Sequence, residues 1–299
     1  MFRRFFRKPR WGLALAGGGC KAFFGLGVAH ALLKRRAPIT SLAGTSAGSA
    51  MILAALGGQA ENVVEYFAMA TARNPGNFHW KNLLRLRRPF PHERIYRRTL
   101  HTFTNVENLG KTKRRIAVNT LLVPEHLYPT DWARTKLVYK LAGAFREENL
   151  LAEQGIYRRI AGPLALEYGL EEVVFRNEDL DSDQMIVDAV MASSSVPPMV
   201  KFQKVRGRYY LDAGLYNNLP VSHLDKDVDV CIAVYYEPIS RGQLEQSGDT
   251  DGRHIEYVSP PEALPISTWD YANPEGVRGA FAMGMRSGED LLERLSARS

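Results

Sequence analysis

The chain has 299 residues, of which 45% are hydrophobic and 24% charged, and its formal net charge at pH 7 is +7. This balance is typical of a folded globular protein and excludes a disordered chain. No stretch approaches the roughly 20 uninterrupted apolar residues of a membrane-spanning helix. A basic excess fits nucleic acid, anionic lipid or a solvated surface. Because no zinc-finger, RRM or related motif occurs, we expect no nucleic-acid partner.

The N-terminal segment, residues 1–10, reads MFRRFFRKPR and interleaves basic and aromatic side chains. Two interpretations stay open for it: contact with an anionic bilayer surface and a frayed chain end. The apolar run that follows, residues 11–16, is shorter than the about 7–15 residues of a secretory h-region. Cys20 and Cys231 agree with a reducing compartment and have no metal-ligand spacing. We therefore expect a cytoplasmic protein, with peripheral membrane contact left open, and no metal.

The first sixty residues alternate between strand and helix patterns. WGLALAGGG is typical of a buried strand that runs into a glycine turn, and AFFGLGVAHALLKRR of a helix that Pro38 ends. ITSLAGTS then predicts a second strand, and AGSAMILAALGG a buried helix. This alternation predicts parallel strands in a right-handed βαβ unit.

The rest of the chain gives less regular patterns. Residues about 60–170 begin with a stretch rich in Arg, Asn, Pro and aromatics, and we interpret them as a cap-like insertion into a single domain that spans 11–299. Further strands are predicted at 115–123, 171–179 and 228–238, and a hairpin with its turn at Arg206-Gly207. Helices are predicted over 183–195 and 274–297. The fold class is α/β, with a mostly parallel central sheet and helices on both faces.

A glycine-rich turn, GGGCK at 17–21, lies between the first predicted strand and helix. Successive glycines let several N–H groups converge on one point, and the helix N-terminus adds partial positive charge. Such a loop binds an anion, either a phosphate or the oxyanion of an acyl intermediate. The spacing is not that of a P-loop, because Lys21 does not follow a glycine. It is not a dinucleotide fingerprint either, because Ala22 takes the last glycine position.

Ser46 has the Gly-x-Ser-x-Gly spacing of a nucleophile elbow, within Gly44-Thr45-Ser46-Ala47-Gly48. A predicted strand precedes it and a predicted helix follows, as an elbow requires. A helix start of small residues without chemistry is the alternative.

Asp212 ends a predicted strand within YYLDAGLYNNLP, residues 209–220. Active-site groups of α/β sheets lie at such strand ends, although aspartates before glycine also form structural turns. A serine hydrolase of the common kind also needs a histidine. None of the seven histidines has an elbow, strand-end or capping context; they are His30, His79, His92, His101, His126, His223 and His254.

Four ordered motifs resemble the patatin-like phospholipases over roughly residues 11–235. They are LALAGGGCKAFFGLGVAHAL, LAGTSAGSA, MASSSVPPMV and YYLDAGLYNNLPV. The resemblance implies a three-layer patatin-like fold and a Ser46–Asp212 catalytic dyad that works without a histidine. It implies an oxyanion hole formed by the amides of Gly17, Gly18, Gly19 and Cys20. The supporting motif positions are Lys21, Ala22, Gly44, Thr45, Ala47, Gly48, Ala213 and Gly214.

The chain departs from the family pattern at Ala22 and Ala213, which replace glycines and add one methyl group each. These methyl groups are expected to narrow the loop or restrict the backbone near the site. MASSSVPPMV also offers a rival nucleophile among Ser193, Ser194 and Ser195, which the resemblance assigns to a structural turn.

The implied reaction is hydrolysis of a phospholipid or another acyl-ester lipid through a Ser46 acyl-enzyme, without a cofactor. Two alternatives stay open: an acyltransferase or thioesterase on carrier thioesters, and a catalytically weak lipid-binding protein. The basic segment 81–98 contains apolar residues and is interpreted either as a cap in contact with an anionic membrane or as a solvated surface. The apolar stripe of the C-terminal helix packs on the core or forms a homo-oligomer contact.

Overall fold

The computed structural model describes residues 9–86, 88–128, 131–237, 241–242, 245 and 252–297, without the side chains of 83 and 131–135. Most of the N-terminal segment, residues 1–8, therefore lies outside the described residues. No helix of the described part is long and apolar enough to cross a membrane.

The described strands form one sheet. They are β1 Trp11–Leu15, β2 Ile39–Thr45, β3 Arg115–Leu122, β4 Glu171–Arg176, β5 Gln203–Val205, β6 Arg208–Asp212, β7 Val230–Val234 and β8 Ile255–Val258. Their order across the sheet is β5-β6-β3-β2-β1-β7-β8, and β4 also pairs with β3. β3, β2, β1, β7 and β8 run parallel, whereas β4 and β6 are antiparallel to β3.

Ten helices have their bounds within the part of the chain that the structure describes. They are α1 Ala22–Lys34, α2 Ala47–Leu56, α3 Ala60–Ala72, α4 Trp80–Leu83, α5 His92–Phe103, α6 Val106–Gly110, α7 Asp131–Glu153, α8 Ala161–Glu167, α9 Asp183–Ser193 and α10 Pro274–Ser296. The α/β class with a central, mostly parallel sheet is thus confirmed, as is the βαβ unit of β1, α1 and β2.

The two faces of the sheet carry different layers because successive side chains of a strand point to opposite faces. Leu13 and Leu15 of β1 pack in a cluster with α1, α2, α3 and α10. Ala14 and Ala233 face the other way and pack with apolar residues of the 219–228 segment. Beyond them, α7 and α8 pack on Leu121 and Leu211 of β3 and β6. Helices therefore cover both faces, in three layers.

The C-terminal helix α10 packs on α1 through glycines. A Cβ atom at Gly27 would lie 2.2 Å from the carbonyl oxygen of Phe281, and one at Gly284 would lie 1.9 Å from that of Phe24. Since only glycine allows backbones this close, the two helices are locked together. The apolar residues of α10 are thus buried in the core of the protein, so this stripe does not support a prediction of an oligomer contact.

Part of the interval 60–170 belongs to the central domain. The prediction of a cap-like insertion with these bounds is therefore corrected. The first part of this interval is the helix α3, which buries Val63, Val64 and Phe67 in the main core rather than being irregular. Its strand β3 pairs with β2 in the middle of the sheet. Val63, Val64 and Phe67 have helical apolar spacing, but the Arg- and Pro-rich stretch that follows has no clear periodicity and obscures this pattern. A cap can include α7 and α8 but not α3 or β3.

Candidate active site

Ser46 stands on a tight turn between β2, which ends at Thr45, and α2, which begins at Ala47. Its backbone has φ 55° and ψ −131°. A positive φ is uncommon for a residue with a side chain, and such strain is characteristic of functional turns. The strand–turn–helix arrangement is that of a nucleophile elbow.

The two flanking glycines allow the helix to begin close to the sheet. A Cβ atom at Gly48 would lie 2.4 Å from the carbonyl oxygen of Leu15, and one at Gly44 would lie 2.6 Å from the amide nitrogen of Ser49. Real Cβ atoms do not approach other atoms so closely. The Gly-x-Ser-x-Gly spacing is therefore a packing requirement of this turn.

The serines after α9 take part in the structure of the elbow. Ser193 Oγ accepts a hydrogen bond from the Ser46 amide at 2.7 Å and donates one to the carbonyl oxygen of Asn119 at 2.6 Å. The hydroxyls of Ser194 and Ser195 have hydrogen-bond partners of their own, and all three serines are buried. These contacts favour a structural role for the segment over that of a rival nucleophile.

Asp212 lies beside Ser46 at the C-terminal end of β6 and is 6% exposed. Its Oδ1 accepts a hydrogen bond from the amide of Gly214 at 2.7 Å, and the Ser46 side chain lies close enough to the carboxylate to lower its pKa. Burial raises the pKa of Asp212 to about 6, against these two neighbours, which lower it. The carboxylate is thus a stronger base than an exposed aspartate and is still ionised at neutral pH.

Two amides of the glycine-rich turn have partners inside the protein. The Gly17 amide donates to Asn218, at 3.2 Å to the carbonyl oxygen and 3.1 Å to Oδ1. The Cys20 amide donates to the carbonyl oxygen of Thr268 at 3.0 Å. The prediction of an oxyanion hole with four amides is therefore corrected, because the N–H groups of Gly17 and Cys20 donate hydrogen bonds that fix the loop.

Gly18 and Gly19 are the remaining candidates for binding an oxyanion. In the described part of the chain their amides donate to no protein acceptor. Gly19 has φ 54°, and a Cβ atom there would lie 2.1 Å from the carbonyl oxygen of Thr268. Only glycine fits at this position. The N-terminus of α2, at Ala47, adds partial positive charge next to Ser46.

The two alanines that depart from the family pattern cause no backbone strain. Ala22 has φ −65° and ψ −12°, which is ordinary helical geometry, and its side chain is buried. Ala213 is not among the residues with positive φ and is also buried. Lys21, in the same turn, forms a salt bridge with Glu237 at 2.5 Å.

A buried polar network beneath the site was not predicted. Glu172 Oε1 accepts hydrogen bonds from the side-chain amides of Asn119 and Asn217, each at 2.9 Å, and lies 3.0 Å from His223 Nε2. Burial would raise the pKa of Glu172, but the close His223 and the hydrogen bonds from the two asparagines hold it below its usual value. The backbone carbonyl oxygen of Asn217 also accepts a hydrogen bond from the Thr45 hydroxyl at 3.0 Å. The network therefore connects the elbow to the loop after Asp212.

Ser46 lies where an apolar cavity meets an open cleft. The cavity runs between α2, α3 and α5, and its lining includes Phe23, Met51, Ala54, Phe67, Leu100 and Leu109. The cleft lies beneath α7, and its lining includes Gly18, Phe145, Arg146, Asn149, Asp212 and Asn218. Ser46, Gly19 and Trp269 line both spaces. The arrangement gives the Ser46 hydroxyl an enclosed apolar pocket on one side and, on the other, an open cleft that also contains charged and amide side chains.

None of the seven histidines lines this cavity or this cleft. His92 Nε2 contacts the carbonyl oxygen of Trp269 at 2.9 Å, and His254 Nε2 contacts Glu256 at 2.8 Å. His223 belongs to the network around Glu172. Among the described residues, Asp212 is therefore the titratable side chain that lines the cleft beside Ser46 and interacts with it.

Comparison with known proteins gives one family. The family model described as patatin-like phospholipase matches residues 13–225, a range that includes Ser46 and Asp212. No curated protein matches the chain. Among solved structures, the chain is similar to the crystal structure of VipD from Legionella pneumophila, with 14% sequence identity and a TM-score of 0.40. That similarity covers 94% of this chain and 67% of the other.

Proposed function

We propose, since this chain belongs to the patatin-like phospholipase family, that it hydrolyses fatty-acyl esters with Ser46 as nucleophile and Asp212 as base. The family consists of lipid acyl hydrolases. The observation that carries the proposal is the placement of the Ser46 side chain beside the buried Asp212 carboxylate, at the junction of an apolar cavity and an open cleft.

In the first half of the proposed reaction, Asp212 accepts the hydroxyl proton of Ser46 while Ser46 Oγ attacks the ester carbonyl carbon. The carbonyl oxygen becomes an oxyanion, which the amides of Gly18 and Gly19 stabilise; removing one such donor costs about 3 kcal/mol in other enzymes. The intermediate then expels the alcohol, which takes the proton from Asp212. An ester between Ser46 and the fatty acid remains.

In the second half, a water molecule replaces the alcohol. Asp212 takes a proton from this water as its oxygen attacks the acyl-enzyme carbonyl, and the same amides stabilise the second oxyanion. Ser46 leaves with the proton and the free fatty acid departs. One carboxylate thus acts as base and then as acid in both halves, which a pKa of about 6 suits.

The two spaces at Ser46 suggest how the lipid is oriented. The apolar cavity suits an acyl chain, because each buried CH₂ group contributes about 0.8 kcal/mol to transfer from water. The open cleft contains Arg146, Asn149 and Asn218 and suits a polar head group. We therefore favour a phospholipid or lysophospholipid, met at the surface of a membrane.

Product analysis tests this function. The protein is incubated with phospholipid, lysophospholipid, triacylglycerol and acyl-CoA, and released fatty acid is measured for wild type, Ser46→Ala and the control Ser49→Ala. Ser49 lies in the same elbow helix but does not line the cavity or the cleft. Release from phospholipid that depends on Ser46 and not on Ser49 supports the proposal. Release from acyl-CoA alone favours a thioesterase.

A further inference from the structure

A short segment before α5 exposes large apolar side chains. In this 78–86 segment, Phe78 is 52%, Trp80 58%, Leu84 76% and Leu86 98% exposed. Exposed apolar groups that cluster in this way mark interaction surfaces, whereas isolated ones are common on any protein.

Three arginines lie next to this segment around a second cavity between α3 and α5. Arg73, Arg94 and Arg98 line this cavity together with His79, which belongs to the 78–86 segment. All three arginines are exposed, and within the described residues none of them forms an ion pair. We call Arg73, Arg94 and Arg98 the arginine cluster.

Nearby arginines of the same region behave differently. Arg97 lies 3.7 Å from Asp188 and 3.7 Å from Glu93, and Arg88 also contacts Glu93. Glu93 and Asp188 are thus engaged by other arginines, and within the described residues the arginine cluster presents guanidinium groups without an ion-pair partner. A guanidinium donates hydrogen bonds in a planar fork that matches the oxygens of a phosphate.

The 78–86 segment is connected to the mouth of the active site by aromatic rings. The ring centroids of Phe78 and Phe90 are 5.4 Å apart, those of Phe90 and His92 are 6.1 Å apart, and those of His92 and Trp269 are 5.8 Å apart. Trp269 lines both spaces at Ser46. A surface that binds the 78–86 segment is therefore adjacent to the catalytic entrance.

We propose that the 78–86 segment and the arginine cluster dock the protein on an anionic bilayer. The arginines hold lipid phosphates at the head-group level, and Trp80, Leu84 and Leu86 enter the interface. Interfacial protein segments combine basic residues with Trp, Phe and Leu in this way. Charge complementarity selects the partner, because the cluster is positive and the cytoplasmic leaflet is negative. The benefit for catalysis rests on the proposed function, but docking itself is independent of it.

Flotation with vesicles tests the proposal. Wild type is expected to bind vesicles of phosphatidylcholine mixed with phosphatidylglycerol much more tightly than vesicles of phosphatidylcholine alone, and less tightly as salt increases. Arg94→Gln with Arg98→Gln is expected to lose affinity on the order of 30-fold. The charge-matched control is Arg35→Gln with Arg36→Gln, since both are exposed after α1, at the end of the sheet opposite to Ser46. This control is expected to bind like wild type.

The apolar part has its own pair of variants. Trp80→Ser with Leu84→Ser is expected to weaken binding to the mixed vesicles, whereas Tyr139→Ser with Leu166→Ser is not. Tyr139 and Leu166 are 69% and 54% exposed, on α7 and α8. Equal binding of wild type to both kinds of vesicle, or equal loss in a variant pair and its control, overturns the proposal.

Hydrolysis of a water-soluble short-chain ester separates docking from catalysis. All four double variants are expected to keep the wild-type rate on this ester, which also shows that they are folded. If wild type binds anionic vesicles but hydrolyses no ester, the docking surface stands and the proposed function fails. If the ester is hydrolysed and the arginine variant still binds like wild type, the docking surface fails alone.

Discussion

The Ser46 amide donates a hydrogen bond to Ser193 Oγ at 2.7 Å, and Ser193 Oγ in turn donates to the carbonyl oxygen of Asn119 in β3. This contact fixes the strained backbone of the elbow from outside its own strand and helix. A turn with φ 55° needs such support, because the conformation is costly by itself.

We expect Ser193→Ala to slow catalysis without removing it. The variant leaves the Ser46 amide without its acceptor in a buried site, which costs on the order of 1–3 kcal/mol of stability. The loosened hydroxyl position is expected to reduce kcat by roughly 10–100-fold. The measurement is kcat on a p-nitrophenyl ester together with a thermal melt. Ser195→Ala, whose hydroxyl bonds elsewhere, is the control and is expected to keep most of its activity.

The activity of the enzyme is expected to depend on ionisation of Asp212. In the proposed mechanism only the ionised carboxylate can accept the Ser46 proton, and burial raises the pKa of Asp212 to about 6. The value of kcat/KM for a neutral ester is therefore expected to increase with pH through about 6 and to level off above pH 7. A profile that is flat from pH 5 to 8 would argue against Asp212 as the base.

The same raised pKa predicts a cost in stability. The unfolded aspartate has a pKa near 4, so between about pH 4 and pH 6 the folded state binds more protons and becomes less stable as pH increases. Asp212→Asn removes this titration. At pH 8 its free energy of unfolding is expected to exceed that of wild type by about 1–3 kcal/mol, whereas at pH 4 the difference is expected to be small. Urea unfolding of both proteins at pH 8 and pH 4 measures this difference in the free energy of unfolding.

Restoring the family glycines is expected to bring no gain in rate. Ala22 is in the first turn of α1 with helical angles, so Ala22→Gly is expected to destabilise the protein by roughly 0.5–1 kcal/mol. Ala213→Gly is expected to act in the same direction, since Ala213 has no positive φ. The measurement is kcat and the melting temperature of both variants. A severalfold increase in kcat would mean that the methyl groups obstruct the site.

Filling the apolar cavity is expected to change the preference for chain length. Ala54 lines the cavity about two turns of α2 beyond Ser46, about 12 Å along the helix. In Ala54→Phe the ring is expected to block long acyl chains, so activity on long-chain esters falls while activity on short-chain esters stays within a few-fold of wild type. The short-chain ester is the internal control. A uniform loss on all chain lengths would place the acyl chain elsewhere.

Local patterns were sufficient to predict several individual elements, including the turn that presents Ser46. The strand–turn–helix around Ser46, the hairpin turn at Arg206-Gly207 and the helix predicted over 274–297, observed as Pro274–Ser296, all follow from apolar periodicity and turn residues. The strand predicted at 171–179 ends at Arg176. Beyond it, the side chains of Asn177 and Asp179 accept hydrogen bonds from the backbone amides of Ile116 and Arg176. Such patterns reflect interactions between residues a few positions apart, which a short stretch of sequence contains.

The contacts that complete the site join residues far apart in the chain, and no local pattern contains them. The Cys20 amide donates a hydrogen bond to Thr268 and the Gly17 amide donates to Asn218, which leaves Gly18 and Gly19 as the candidate oxyanion amides. The network around Glu172 depends on the same long-range packing. The Asn217-Asn218 pair after Asp212 is a visible indication in the sequence, because amide side chains that become partly buried need several hydrogen-bond partners.

The most direct test of the dyad is the site of covalent modification by a fluorophosphonate. Wild type and Ser49→Ala are incubated with the reagent, digested and mapped by mass spectrometry, with Ser46→Ala and Asp212→Asn in parallel. We predict an adduct on the peptide that contains Ser46, in wild type and Ser49→Ala. We predict much slower labelling of Asp212→Asn and none of Ser46→Ala. An adduct on the peptide that contains residues 193–195, or unchanged labelling of Ser46→Ala, would contradict the account.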